Sequence, residues 1–217
     1  MRLASPSLPV GGFSYSEGLE SAVDVSLVGD EAGAQRWLVD QLRLGLARAD
    51  LPVLARALAA WRRGDIDHVE SLNRWFASTR ETAELLRQAE QMGRSLAIWL
   101  RHRGAADERL RRLEAAAPAP TWPIAFALAA ADSGASARDV LVTFAGGWSE
   151  NMVQAAMKAV PLGQASAQRI LAVLASEIPG AVDDALVLAS ADMQAFTPML
   201  AILSSQHEEQ YSRLFRS

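Results

Sequence analysis

The stretch from Thr79 to His102, TRETAELLRQAEQMGRSLAIWLRH, is the longest uninterrupted helical signal in the chain. Leu85, Leu86, Ala89, Met92, Gly93, Leu96, Trp99 and Leu100 form one broad apolar stripe. Arg80, Glu84, Arg87, Gln91, Arg94 and Arg101 lie opposite it. A half-buried strand would need apolar–polar alternation, which neither this stretch nor any other provides convincingly. The small Ala89 and Gly93 suit close approach to a neighbour, so this is expected to be a central core helix.

Upstream, Leu8 to Glu20 breaks regular structure with Pro9 and the pair Gly11-Gly12, then enters a helix expected from about Ser14 to Val25. Ser14 is its expected cap and Glu17 the capping-box partner. The glycine pair is either a tight turn or an anion cradle of free N–H groups. The phosphate-loop ending, Gly-Lys-Ser/Thr, occurs nowhere. Asp30 caps a second helix with Ala34, Leu38, Leu42, Gly45 and Ala49 at helical spacing. Asp50 is expected to cap a third, with Pro52 in its first turn and Val53, Leu54, Ala57, Leu58 and Trp61 as its stripe. Gly64-Asp65 ends it, and Asp67 to Ala77 forms the next.

Downstream, Ala106 to Glu114 is a short charged helix, and Ala115 to Pro123 is a proline-rich loop too short to separate domains. Helix resumes from Thr121 to about Asp132, and again from a Ser136 cap with Asp139 as box partner. Gly146-Gly147 inside the latter suggests tight backbone contact or a kink. Pro161 ends that helix. A strong helix from Gln164 to Ile178 and weaker ones near Ala181 to Ala191 and Pro198 to Ser204 follow. The fold class is all-α: a single-domain helical bundle of about ten helices over residues 1–217, with residues 206–217 a docking tail. In that tail Tyr211, Leu214 and Phe215 would be wasted in water, so it docks on its own body or on a partner.

Half the residues are apolar and a fifth are charged, as in an ordinary soluble domain. A formal net charge of −4 gives no reason to expect nucleic acid or an anionic membrane as partner. No apolar run is long enough to cross a bilayer, and Met1 to Pro6 lack a signal peptide's apolar core. Cysteine is absent, which removes disulfides and thiolate chemistry and fits a cytoplasmic location. Of 21 basic residues only Lys158 is not arginine. Either chance placed it or its site requires a compact ammonium.

Catalytic signals are missing. His68, His102 and His207 sit on separate predicted elements with no metal-ligand spacing, and His207-Glu208 lacks the second histidine of a zinc-protease motif. There is no nucleophile elbow, no nominated carboxylate pair and no cofactor motif. Arg80 and Glu84 at i, i+4 describe a solvated helix face, or an arginine offered to a GTPase. The expectation is a helical binding protein: not an enzyme, with no catalytic residues, no cofactor and no metal site.

Five stretches, taken in order, carry a resemblance. Leu3 to Glu20 resembles the opening signature of the urease accessory protein UreF family. Asp50-Leu51-Pro52, Arg80 to Leu85, Lys158 to Gln164 and His207 to Ser217 are similar to its later motifs. The resemblance implies an all-helical homodimer that binds UreD (UreH in some species). That pair recruits the GTPase UreG, and the assembly delivers nickel to apo-urease. It further implies that the tail, with His207, Tyr211, Arg213, Leu214 and Phe215, contributes to the UreD interface. Glu20, Glu84 and Lys158, with Asp50, Arg80 and Gln164, take positions on the GTPase-facing and coupling surface. Alternatives of a different class are a GTPase-activating regulator of UreG and a direct nickel metallochaperone. Three departures stand out: a short lead-in before the signature, Gly146-Gly147 in place of bulkier residues, and Glu209 where threonine is common.

Overall fold

The segment Trp122–Ala131 is apolar on every side, which only an enclosed helix can satisfy. The computed structural model, which describes Leu3, residues 8–103 and residues 107–216, puts it between two other helices. Ala4 to Ser7 of the opening motif, Ala106 and Ser217 lie outside the described residues. In chain order the elements are α1 (Leu19–Asp24), α2 (Glu31–Asp40), a π-helical segment (Gln41–Asp50) and α3 (Leu51–Arg63). Then come α4 (Ile66–Ser78), α5 (Ala83–His102), α6 (Glu108–Glu114) and α7 (Trp122–Ala131). Last are α8 (Ala137–Ala159), α9 (Gln164–Val187) and α10 (Pro198–Glu208). No strand occurs among the described residues, and the fold is all-α.

The centre is α3, not the helix expected there. It packs on α4, α7, α8, α9 and the π-helical segment, and the Trp61 indole donates to the Ile124 carbonyl at 3.1 Å. By contrast α5 buries one face, through Ala89, Met92, Gly93, Leu96 and Ala97, and packs on α6, α7 and α10. Both α3 and α5 carry an amphipathic stripe, so periodicity alone does not separate them; α7, apolar on every side, packs on both. Trp122, Phe126 and Phe144 pack ring against ring at 5.1–5.9 Å between centroids where α7 meets α8. Nearly all the buried apolar residues described form one connected cluster.

Several expected boundaries move. Asp30, Asp65, Thr82 and Ser136 cap as their chemistry dictates, each accepting from the backbone N–H three residues on. Asp50 does not: its backbone is right-handed helical, its side chain caps nothing, and α2, the π-helical segment and α3 run on as one helical rod. Ser14 and Glu17 do not form a capping box, because α1 starts only at Leu19, with Gly18 as its N-cap. The helix at Gln164 does not stop at Ile178 but continues through Pro179 to Val187. Ile178, Ala181, Val182 and Ala185 are buried along it, and that packing outweighs the hydrogen bond Pro179 removes. Gly146-Gly147 neither breaks α8 nor sits in a tight contact at Gly146, where an added Cβ would meet nothing within 4 Å.

Gly93 is where close approach is real. A Cβ there would lie 2.0 Å from the Pro120 carbonyl oxygen, so backbone would have to move. The same loop is held by buried Asn73, which donates to the Pro118 and Ala119 carbonyls at 2.9 and 3.1 Å. Its own oxygen accepts from the Thr121 N–H and hydroxyl, both at 2.9 Å. Gly93→Ala is expected to destabilise the fold by about 3 kcal/mol or more, since rigid backbone opposes the methyl. Asn73→Ala, which orphans the buried Thr121 donors, is expected to cost about 3 kcal/mol. Each should lower the thermal midpoint by roughly 10 °C, read by circular dichroism.

Candidate functional site

Two carboxylates are buried close together near the start of two helices. Glu17 at φ 50 and Gly18 at φ 76 take successive left-handed conformations that turn the chain into α1. Glu20 thereby falls in the first turn of α1 and is buried. Thr82 caps α5 and puts Glu84 in its first turn, only 1% exposed, where the helix dipole favours negative charge. Between them stands His207 of α10, fully buried. Its Nδ1 is 2.8 Å from Glu84 Oε2 and its Nε2 is 3.1 Å from Glu20 Oε2. The Glu208 carboxylate accepts from the Glu84 N–H at 2.9 Å, and the Thr82 and Ser204 hydroxyls meet at 2.7 Å, which fixes α10 on α5.

After Glu208 the chain folds back over this trio. Arg213 donates to Glu84 Oε1 at 2.7 Å, and the consecutive N–H groups of Leu214 and Phe215 donate to the two oxygens of Glu20 at 2.8 and 3.0 Å. The Arg216 N–H reaches the Ser14 carbonyl at 2.8 Å. Phe215 is buried, with the Lys158 ammonium 5.6 Å from its ring centroid. Tyr211 and Leu214 point outward, 106% and 71% exposed.

A second polar group lies in a cavity of about 120 Å³ bounded by α5, α8, the π-helical segment and the opening loop. Glu17 Oε1 accepts from Gln88 at 2.6 Å and its Oε2 from the Trp148 indole at 3.0 Å. Burial pushes the Glu17 carboxyl above the usual range, and the nearby Asp50 charge adds to the rise, while the hydrogen bonds from Trp148 and Gln88 oppose it. Burial also pushes Asp50 up, against the lowering influence of Arg80. Arg80 Nη1 is 3.7 Å from Asp50 Oδ2, and its guanidinium carbon sits 4.1 Å from the Phe76 ring centroid.

The structure therefore brings Glu20, Glu84, Lys158, His207, Arg213, Leu214 and Phe215 together, with Tyr211 at their outer edge. Asp50 and Arg80 are not on that surface; they line the cavity. Gln164 begins α9, exposed and apart from both groups. The carboxylates of Glu20 and Glu84, which the resemblance puts on a coupling surface, lie under the chain's own tail. His68 and His102 are exposed. Among the described residues no group of three or more His, Cys, Asp or Glu is arranged to hold a metal ion. Sequence reasoning missed the cavity partners Gln88 and Trp148, which lie 71 and 131 residues from Glu17 and carry no local signal.

Comparison with known proteins agrees along the whole chain. The UreF family profile matches residues 28–175. The chain is 63% identical to the urease accessory protein UreF of Methylibium petroleiphilum, over 100% of this chain and 92% of that one. It is 61% identical to that of Paracidovorax citrulli (99% and 86% covered) and 45% identical to that of Ralstonia pickettii (100% and 96%). The opening signature and the tail, outside the profile match, fall inside these full-length alignments. The chain belongs to the UreF family of urease accessory proteins.

Proposed function

We propose that the chain is a scaffold for urease maturation whose tail face binds UreD (UreH), and that this pair recruits the GTPase UreG for nickel insertion into apo-urease. The observation that carries this reading is the tail: its backbone is clamped on Glu20 while Tyr211 and Leu214 are held out to solvent. Aromatic and apolar side chains on an ordered backbone lose little entropy when a partner covers them. Lys158 belongs to the same face through Phe215, so a partner seated on the tail can influence the loop after α8. The chain acts as a homodimer in the cytoplasm; no helix among the described residues is long and apolar enough to cross a membrane, which is compatible with that location. Nickel is cargo of the assembly in this reading. The GTPase-activator alternative gains nothing from Arg80, whose guanidinium faces Asp50 and Phe76 in the cavity.

Two measurements test the reading. Tyr211→Ala with Leu214→Ala should weaken co-purification with UreD at least tenfold, about 1.4 kcal/mol, while helical circular dichroism and melting are unchanged. Full retention of UreD would overturn the tail-face assignment. Glu20→Gln replaces a carboxylate oxygen by a donor opposite the tail amides. It should raise hydrogen exchange at Leu214 and Phe215 at least tenfold without altering exchange in α3 or α7; unchanged protection would show that Glu20 does not clamp the tail.

A further inference from the structure

His207 is fully buried, and each of its ring nitrogens faces a carboxylate oxygen, Nδ1 at 2.8 Å from Glu84 and Nε2 at 3.1 Å from Glu20. A neutral imidazole carries one N–H and one lone pair, while an ionised carboxylate only accepts. With a neutral ring, one of the two contacts would set a lone pair against a charged oxygen, in a place where neither can turn to water. The other bonds to these carboxylates come from groups that only donate. Glu84 Oε1 accepts from Arg213 at 2.7 Å, and Glu20 accepts from the Leu214 and Phe215 N–H groups at 2.8 and 3.0 Å. Such donors match ionised oxygens, so the proton that completes the set belongs on the ring.

The charge count agrees. Glu20 of α1 and Glu84 of α5 face the ring, and Arg213 of the tail lies beyond Glu84. Glu208 of α10 is met by Arg87 of α5 at 3.6 Å and by the Glu84 N–H, and Asp24, Lys158 and Arg216 are exposed. Two carboxylates against Arg213 alone leave a negative charge uncompensated in a buried cluster; an imidazolium brings the sum to zero. We propose that His207 is an imidazolium that locks the tail to the body, and that the tail face stays ordered only while this proton is held. Removing the proton turns Nδ1 or Nε2 into a lone pair against one of the two glutamates that anchor Arg213, Leu214 and Phe215. The docked chain then binds one proton more than a chain with a released tail and a neutral ring, so docking weakens as pH rises. Tyr211 and Leu214 ride on that backbone, so alkaline pH withdraws the exposed face they form. This rests on the tail's contacts with its own body and holds whichever partner covers the tail.

The test is NMR of the purified full chain alone, reading the ¹⁵N shifts of the His207 ring and the ¹³Cα–¹H order parameters of the tail. At about pH 7 the expected result is an N–H on both ring nitrogens, with order parameters near about 0.85 at Leu214 and Phe215. The pH is then raised until one ring N–H is lost. At that point the two order parameters should fall below about 0.6 while those of α3 and α7 keep their values. A ring with a single N–H beneath an ordered tail overturns the proposal. So does a tail that stays ordered after the second ring proton has gone, or a loss of order in α3 and α7 at the same pH as in the tail. His207→Gln keeps one donor and one acceptor but takes up no proton, so its tail should be disordered already at about pH 7. A folded variant with a tail as ordered as the wild type, or one that still loosens as pH rises, also overturns it. Should the variant fail to fold, the wild-type ring and tail decide.

Discussion

Burying a carboxylate removes it from water at a cost of several kcal/mol unless hydrogen bonds and opposite charge replace the solvent. This molecule buries Glu20 and Glu84 on either side of one imidazole, and the groups that meet their oxygens, on His207, Arg213, Leu214 and Phe215, all come from α10 and the tail that follows it. That requirement organises the periphery. It fixes α10 against α1 and α5, it dictates where the tail must lie, and it brings Lys158 to the ring of Phe215. Because the Arg213 guanidinium and the Leu214 N–H serve buried oxygens of Glu84 and Glu20, the tail is ordered by these hydrogen bonds as well as by the burial of Phe215.

Stability comes from elsewhere. The rod from Glu31 to Arg63 threads the bundle, and the all-apolar α7 closes against it, so most of the core is built before the tail adds Phe215 to it. The π-helical stretch within the rod is the part of the core that also serves the periphery: Gln41, Gly45, Leu46 and Asp50 line the cavity from it. Wider π turns are uncommon in helices and occur mostly where a helix contributes to a site.

Much of this was legible in the residues. Helical periodicity set the fold class, and short polar caps such as Asp30 and Ser136 marked their helix starts because capping is local chemistry. What failed was non-local. Asp50 looks like a cap, yet its neighbours on both sides pack into one continuous rod; Pro179 looks like a stop, yet buried residues beyond it hold α9 together. The aromatic and apolar tail residues signalled docking but not its direction: the structure packs Phe215 onto the chain's own body and leaves Tyr211 exposed. Motif resemblance singled out Glu20 and Glu84, but not that one histidine of α10 joins them, because nothing near either glutamate in the chain announces a contact more than a hundred residues away.

The clamp on Glu20 spans 194 residues of chain, from the first helix to Leu214. During synthesis Glu20 leaves the ribosome long before its partners in α10 and the tail exist, so the core helices can pack while the tail face is still unmade. The face appears only when nearly the whole chain has been translated and α10 has docked. On the proposed reading, a partner that requires this face cannot engage a half-made chain, and the order of assembly follows from the topology.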